Sequence, residues 1–168
     1  MPGFVEVARD AFAFLEGDYG FSIQGRSNSK EDGQIIYSNV KNGVAVKVLY
    51  ECREGMIFIF IYKLIDGKIR ENPSPITHDS MITCFDFNEV VPEADRMKPS
   101  YTYSEDSKYF DERDGLRNFA ADFALRLRKY GEDLLTGDFA VLPDAEKTIK
   151  NRAYSQYREW GLTGPPSR

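Results

Sequence analysis

Apolar and polar positions along this chain recur with two different periods, and the changes of period mark its elements. Residues 4–16 place Phe4, Ala8, Ala11, Phe12 and Leu15 on one stripe, with Val5 beside it and Glu6, Arg9 and Asp10 off it. That spacing predicts an amphipathic helix, which Gly17 and Gly20 then stop. Residues 25–33, GRSNSKEDG, are polar and breaker-rich and predict a loop. From residue 34 the period falls to two. Residues 34–40 read as a strand, and Lys41-Asn42-Gly43 predicts a hairpin turn of type I′, with positive φ at both central residues.

Residues 44–51 alternate, with Val44, Val46, Val48 and Tyr50 on one face and Ala45, Lys47, Leu49 and Glu51 on the other. After the hinge Arg53-Glu54-Gly55, residues 56–62 are apolar on both faces, which predicts a central strand covered above and below. Asp66-Gly67 marks a further turn, with a short fourth strand or extended segment through Ile69.

Residues 71–115 are irregular and broken by Pro73, Pro75, Pro92 and Pro99, although residues 80–91 leave room for a short helix or strand. A connection of this length is either a functional excursion or contains short elements of its own. The helical period returns over residues 116–135, where Leu116, Phe119, Phe123, Leu127, Tyr130 and Leu134 form a stripe that Gly137 ends. A last helix over residues 144–160 turns Ala145, Ile149, Ala153, Tyr157 and Trp160 one way and leaves Lys147, Lys150, Arg152 and Arg158 to solvent. The expectation is an α+β fold: an N-terminal helix, an antiparallel meander of about four strands, and C-terminal helices packed on the sheet. Residues 1–160 form one domain and residues 161–168 a flexible tail.

Charge narrows the function. The net charge of −5 argues against general nucleic-acid binding, which depends on neutralising phosphates. Twelve acidic and six basic side chains fall between Asp66 and Asp114, so the excess acidity is concentrated in the irregular third of the chain. No apolar run is long enough to span a bilayer, and the first residues lack a basic stretch followed by an apolar core. Cys52 and Cys84 are too few for a disulfide framework and are not spaced as a CxxC pair. A cytoplasmic protein without membrane contact is expected.

No catalytic or metal-binding motif emerges, and no cofactor is implied. His78 beside Asp79 could form half of a base-and-orienter pair, yet adjacent residues rarely adopt that geometry. The stretch from Gly131 to Gly137 has a glycine spacing wrong for a phosphate loop, and Asp138 stands where lysine is needed. It reads as a helix end. Asp86 with Glu89 and Glu93 with Asp95 are the nearest carboxylate pairs, without the Asp/Asn series of a calcium loop. Arg53 could lower the thiol pKa of neighbouring Cys52, although an incidental cysteine explains it as well.

The segment YTYSEDSKYFDERD, residues 101–114, is the candidate partner-binding surface, through Tyr101, Tyr103, Glu105, Asp106, Tyr109, Asp111 and Glu112. Tyrosines give stiff contact area and carboxylates steer a basic partner. The competing expectation is a surface loop whose rings tuck back onto the core.

Three phrases carry a resemblance. FLEGDYGF at residues 14–21, YECREGMIFIFIYKLIDG at residues 50–67 and YGEDLLTGDFAVLP at residues 130–143 resemble small bacterial α+β proteins, some of which are immunity proteins that neutralise toxins. The phrases are structural: a helix end, a hairpin and a helix stop. The resemblance therefore implies a fold and a role in protein binding, with a basic toxin as the partner it suggests, and carries over no functional residue. The function expected is a non-catalytic binding module. The alternatives are a small enzyme using carboxylates or His78 in a cleft beside the sheet, and a regulatory or structural dimer.

Overall fold

The computed structural model describes residues 3–29 and 32–166. Lys30 and Glu31 of the expected loop, and Ser167 and Arg168 of the expected tail, lie outside the described residues. The fold is α+β, with an N-terminal helix, an open antiparallel sheet and C-terminal helices. The sheet has five strands in sequence order: β1 (Ser22–Asn28), β2 (Asp32–Asn39), β3 (Val44–Glu51), β4 (Met56–Lys63) and β5 (Cys84–Asp86).

Alternation along the strands sorts the sheet into two faces. Ile35, Tyr37, Val46, Val48, Ile57, Ile59 and Ile61 point into the main core, and each is at most 2% exposed. That face is closed by α1 (Phe4–Ala11) and α3 (Gly115–Tyr130), which pack on each other as well. Phe4, Val7 and Ala8 of α1 meet Phe119, Phe123 and Leu127 of α3 in the same cluster. The other face carries Lys47, Phe58, Phe60, Tyr62, Cys84 and Asp86; among the described residues it holds a small second cluster of Ala45, Tyr62, Leu64 and Cys84, while Phe58 packs against the first. β4 is therefore fourth of five strands with one sealed face. Cover above and below was expected, but Phe58 and Phe60 remain half-buried.

Where the expected elements shift, the cause is local. The first helix breaks at Phe12, and a single turn, α2 (Phe14–Gly17), re-aims the chain. Both Phe12 and Leu15 become fully buried as a result. β1 occupies the stretch expected to begin a loop. It is an edge strand with a bulge between Ile23 and Gly25, and most of its side chains face water, so it shows no apolar alternation. The turn after β2 is not type I′, because Gly43, at φ 70, takes positive φ while Asn42 does not. Asn39 Oδ1 accepts the Asn42 N–H instead and shapes the turn with its side chain. The fourth strand expected near Ile69 is reduced to one bridge between Ile65 and Lys68.

The single helix expected over residues 116–135 is divided by Gly131 into α3 and a short α4 (Glu132–Leu135). A Cβ on Gly131 would stand 2.6 Å from the Leu127 carbonyl oxygen, so only glycine lets the chain leave α3 so close against Leu127. α5 (Leu142–Glu159) carries Pro143 in its first turn, as the fixed φ of proline favours. Its end is closed by Gly161, which takes positive φ, while the Leu162 N–H donates to the Tyr157 carbonyl.

The irregular excursion contains β5 and several short 3-10 turns. The Asn72 side chain fastens its first half. Its Oδ1 accepts the Thr83 and Cys84 N–H groups and its Nδ2 donates to the Cys84 carbonyl, so one amide does the work of a neighbouring strand along β5. The second half is tied to the β3–β4 turn, where the Ser100 N–H donates to the Gly55 carbonyl at 2.7 Å.

Candidate functional site

Two regions carry chemistry. The first is the segment expected to bind a partner. The structure divides its rings into two pairs. Tyr103 and Tyr109 turn inward, with ring centroids 4.7 Å apart, and Tyr109 meets Phe119 of α3 edge-on at 5.1 Å. The Tyr109 hydroxyl donates to Asp122 at 2.5 Å, and Lys108 reaches the same carboxylate at 2.8 Å. Burial alone would raise the Asp122 pKa. The hydrogen bonds from Lys108 and Tyr109 outweigh it and hold the carboxyl below its usual range. Burial and the Asp122 partnership push the Tyr109 hydroxyl well above its usual range.

Tyr101 and Phe110 turn outward, at 63% and 44% exposed. Glu105, Asp106 and Glu112 are exposed and make no ion pair or hydrogen bond with any described residue. Asp111 is exposed but engaged, because its Oδ1 accepts the N–H groups of Arg113 and Asp114 and these hold its pKa down. Of the seven residues proposed from sequence, Tyr101, Glu105, Asp106 and Glu112 are free for a partner, and Tyr103, Tyr109 and Asp111 brace the segment.

The second region is a cleft of about 460 Å³ on the less covered face of the sheet. Its floor is Phe58, Phe60 and Tyr62 of β4 with Lys47 of β3, its far wall is Cys84 and Asp86 of β5, and Ile149 and Arg152 of α5 form the rim. The period of two aligns Phe58, Phe60 and Tyr62, while the pairing of Phe60 with Lys47 and Asp86 sets a cation and a carboxylate on either side. The Phe58 and Phe60 rings stack at 6.2 Å. Lys47 Nζ sits 5.1 Å from the Phe60 centroid and 5.3 Å from that of Tyr62, and it donates to Glu71 at 3.3 Å. The Tyr62 hydroxyl donates to both Glu71 oxygens. At the other end Arg152 donates to Glu89 at 2.6 Å.

Asp86 stands apart from these pairs. Its Oδ1 accepts the Asn88 N–H at 2.9 Å, and its Oδ2 has no partner among the described residues. Burial raises the pKa of this carboxyl; the Asn88 N–H opposes that, Glu89 adds to it, and Arg152 and Arg96 oppose it. Cys84 is pushed up to about 11 chiefly by burial, which keeps it a thiol.

Sequence reasoning named Asp86 and Glu89 as a carboxylate pair, and both line the cleft. It missed Lys47, Phe58, Phe60, Glu71 and Arg152. The polar Lys47 among apolar alternating neighbours was the available signal. Glu93 and Asp95 make no comparable site, since Asp95 is taken up by the Tyr130 hydroxyl and Lys129. His78 is exposed, stacks on Tyr154 at 4.0 Å and does not line the cleft. Among the described residues no cluster of His, Cys, Asp and Glu could hold a metal ion. No helix there is long and apolar enough to cross a membrane.

In comparisons with known proteins, the chain matches no family model, no curated protein and no solved structure.

Proposed function

We propose that this protein is a non-catalytic binding module of immunity type, which docks a basic protein such as a cationic toxin on the surface around Tyr101 and Phe110. The observation that carries this reading is the pair of outward rings in the same short segment as three unengaged carboxylates, Glu105, Asp106 and Glu112. Large rings of low entropy cost supply contact area, and free carboxylates steer a cationic partner. The inward pair Tyr103 and Tyr109 supports the same reading, because it fixes the segment on α3 before any partner arrives and so lowers the cost of ordering it.

A second reading, a small enzyme working from the cleft, is favoured by one observation, the desolvated Asp86 carboxyl. Its neighbours Glu71 and Glu89 are engaged with Lys47 and Arg152, which leaves Asp86, among the described residues lining the cleft, as the carboxyl open to acid–base work.

The test compares the wild type with a variant carrying Tyr101→Ala, Phe110→Ala, Glu105→Gln and Asp106→Asn as baits in a native cell extract. Thermal melting first establishes that both are folded. The expected result is a basic protein held by the wild type, recovered about tenfold less or worse on the variant, and released as salt screens the charges. Equal recovery on both baits, or no basic protein on the wild type, overturns the proposal.

A further inference from the structure

We infer that the cleft on the less covered sheet face binds a single ammonium group carried on an alkyl stem. This goes beyond the surface around Tyr101, shares no residue with it, and stands or falls separately.

Among the described residues, three carboxylates and two cations line the cleft. Lys47 is neutralised by Glu71 and held over two rings, and Arg152 is neutralised by Glu89. The charge left over is that of Asp86. An anionic ligand would have to displace Glu71 or Glu89 from its partner. A cationic ligand displaces nothing.

The geometry then selects among cations. With Oδ1 occupied by the Asn88 N–H, Asp86 offers one oxygen. A guanidinium is best matched by a carboxylate presenting both oxygens side by side, whereas an ammonium is a compact charge satisfied by one. The stacked Phe58 and Phe60 rings present apolar surface for the methylenes and a negative face for the charge, and Ile149 faces them from α5. The volume of about 460 Å³ lies within the range that accommodates small ligands and side chains. The shared chemistry is that of a lysine side chain of another protein and of a free alkylamine.

The test is a titration of the full-length protein followed by amide proton–nitrogen NMR, with five probes: Nα-acetyl-lysine methylamide, its neutral Nε-acetylated form, Nα-acetyl-arginine methylamide, n-pentylamine and inorganic phosphate. The expected result is saturable shifts at Phe58, Phe60, Asp86 and Ile149 with the lysine probe. Binding of the acetylated probe should be weaker by about tenfold or more, the loss of at least one charge-assisted contact, with the arginine probe weaker than the lysine one. Asp86→Asn keeps the acceptor for the Asn88 N–H and should weaken the lysine probe to the same degree, while Asp86→Glu should restore part of the affinity. n-Pentylamine binding as tightly as the lysine probe assigns the site to free amines, and tighter binding of the lysine probe assigns it to protein side chains. The proposal is overturned if the acetylated probe binds as well as the charged one, if phosphate or the arginine probe binds more tightly, if Asp86→Asn changes nothing, or if the shifts fall elsewhere.

Discussion

The two faces of β4 are built from the same kinds of side chain and meet different fates. Ile57, Ile59 and Ile61 point to one side, are at most 2% exposed, and belong to the core cluster shared with α1 and α3. Phe58, Phe60 and Tyr62 point to the other, where only Tyr62 is fully covered. What separates them is the supply of covering helix. Two helices close the first face, whereas the second is covered by α5 beside β5 and by the strap around Asn72, and the remainder is left as a cleft. A strand apolar on both sides therefore does not imply burial on both sides. The surplus apolar surface is where a binding site becomes available.

The sharpest test of this contrast is truncation on each face. Ile59→Ala should cost about 2–5 kcal/mol, the range for a large-to-small change in a sealed core, whereas Phe58→Ala should cost well under half as much. Urea denaturation of the two variants decides it, and equal losses would mean that the second face is as well packed as the first. A smaller effect of opposite sign is expected at Tyr37. Its ring is fully buried, and its hydroxyl is the one buried side-chain polar atom without a hydrogen-bond partner among the described residues. Tyr37→Phe removes an uncompensated group and should raise stability by about 1 kcal/mol. A fall in the same measurement would show a buried water satisfying that hydroxyl.

The smallest effect is the dependence on pH contributed by the open face. Burial raises the folded-state pKa of Asp86, so ionising it is harder folded than unfolded. Its contribution to stability is complete below the unfolded carboxyl pKa and is lost as pH rises through the higher folded value. Glu89, which faces it, strengthens this trend, and Arg152 and Arg96 weaken it. Relative to Asp86→Asn, the wild type should lose stability as pH rises across that interval, as followed by denaturant midpoints. Asp122 of α3 has the opposite sign, since its lowered pKa gives stability that disappears as pH falls.

The architecture was legible wherever a period was maintained for two turns or four strand positions. The helix over residues 144–160 and the strands from Val44 to Lys63 emerge close to their expected bounds, while the helix expected over residues 116–135 emerges as α3 with the short α4 beyond Gly131. β1 was not legible, because an edge strand with most side chains in water has no apolar alternation to read. Neither was β5, whose three residues are too few to show a period and whose place depends on the distant Asn72 amide. The candidate sites follow the same rule. Asp86 and Glu89 could be paired by eye, but Lys47, Phe60, Glu71 and Arg152 reach the cleft from β3, β4, the strap and α5. Likewise nothing in YTYSEDSKYF distinguishes Tyr103, which faces inward, from Tyr101, which faces out, because residues in an irregular segment carry no face.

The order of the elements along the chain has a consequence for how the protein is made. The strands lie side by side in the order of synthesis, so the meander can assemble as it emerges from the ribosome. Half of its roof cannot, since α1 is made first while α3, its partner over the same face, begins only at Gly115. Throughout that interval the isoleucine row of β4 has a sheet beside it and only part of a cover. A nascent chain halted between β4 and α3 would be the form most in need of a chaperone.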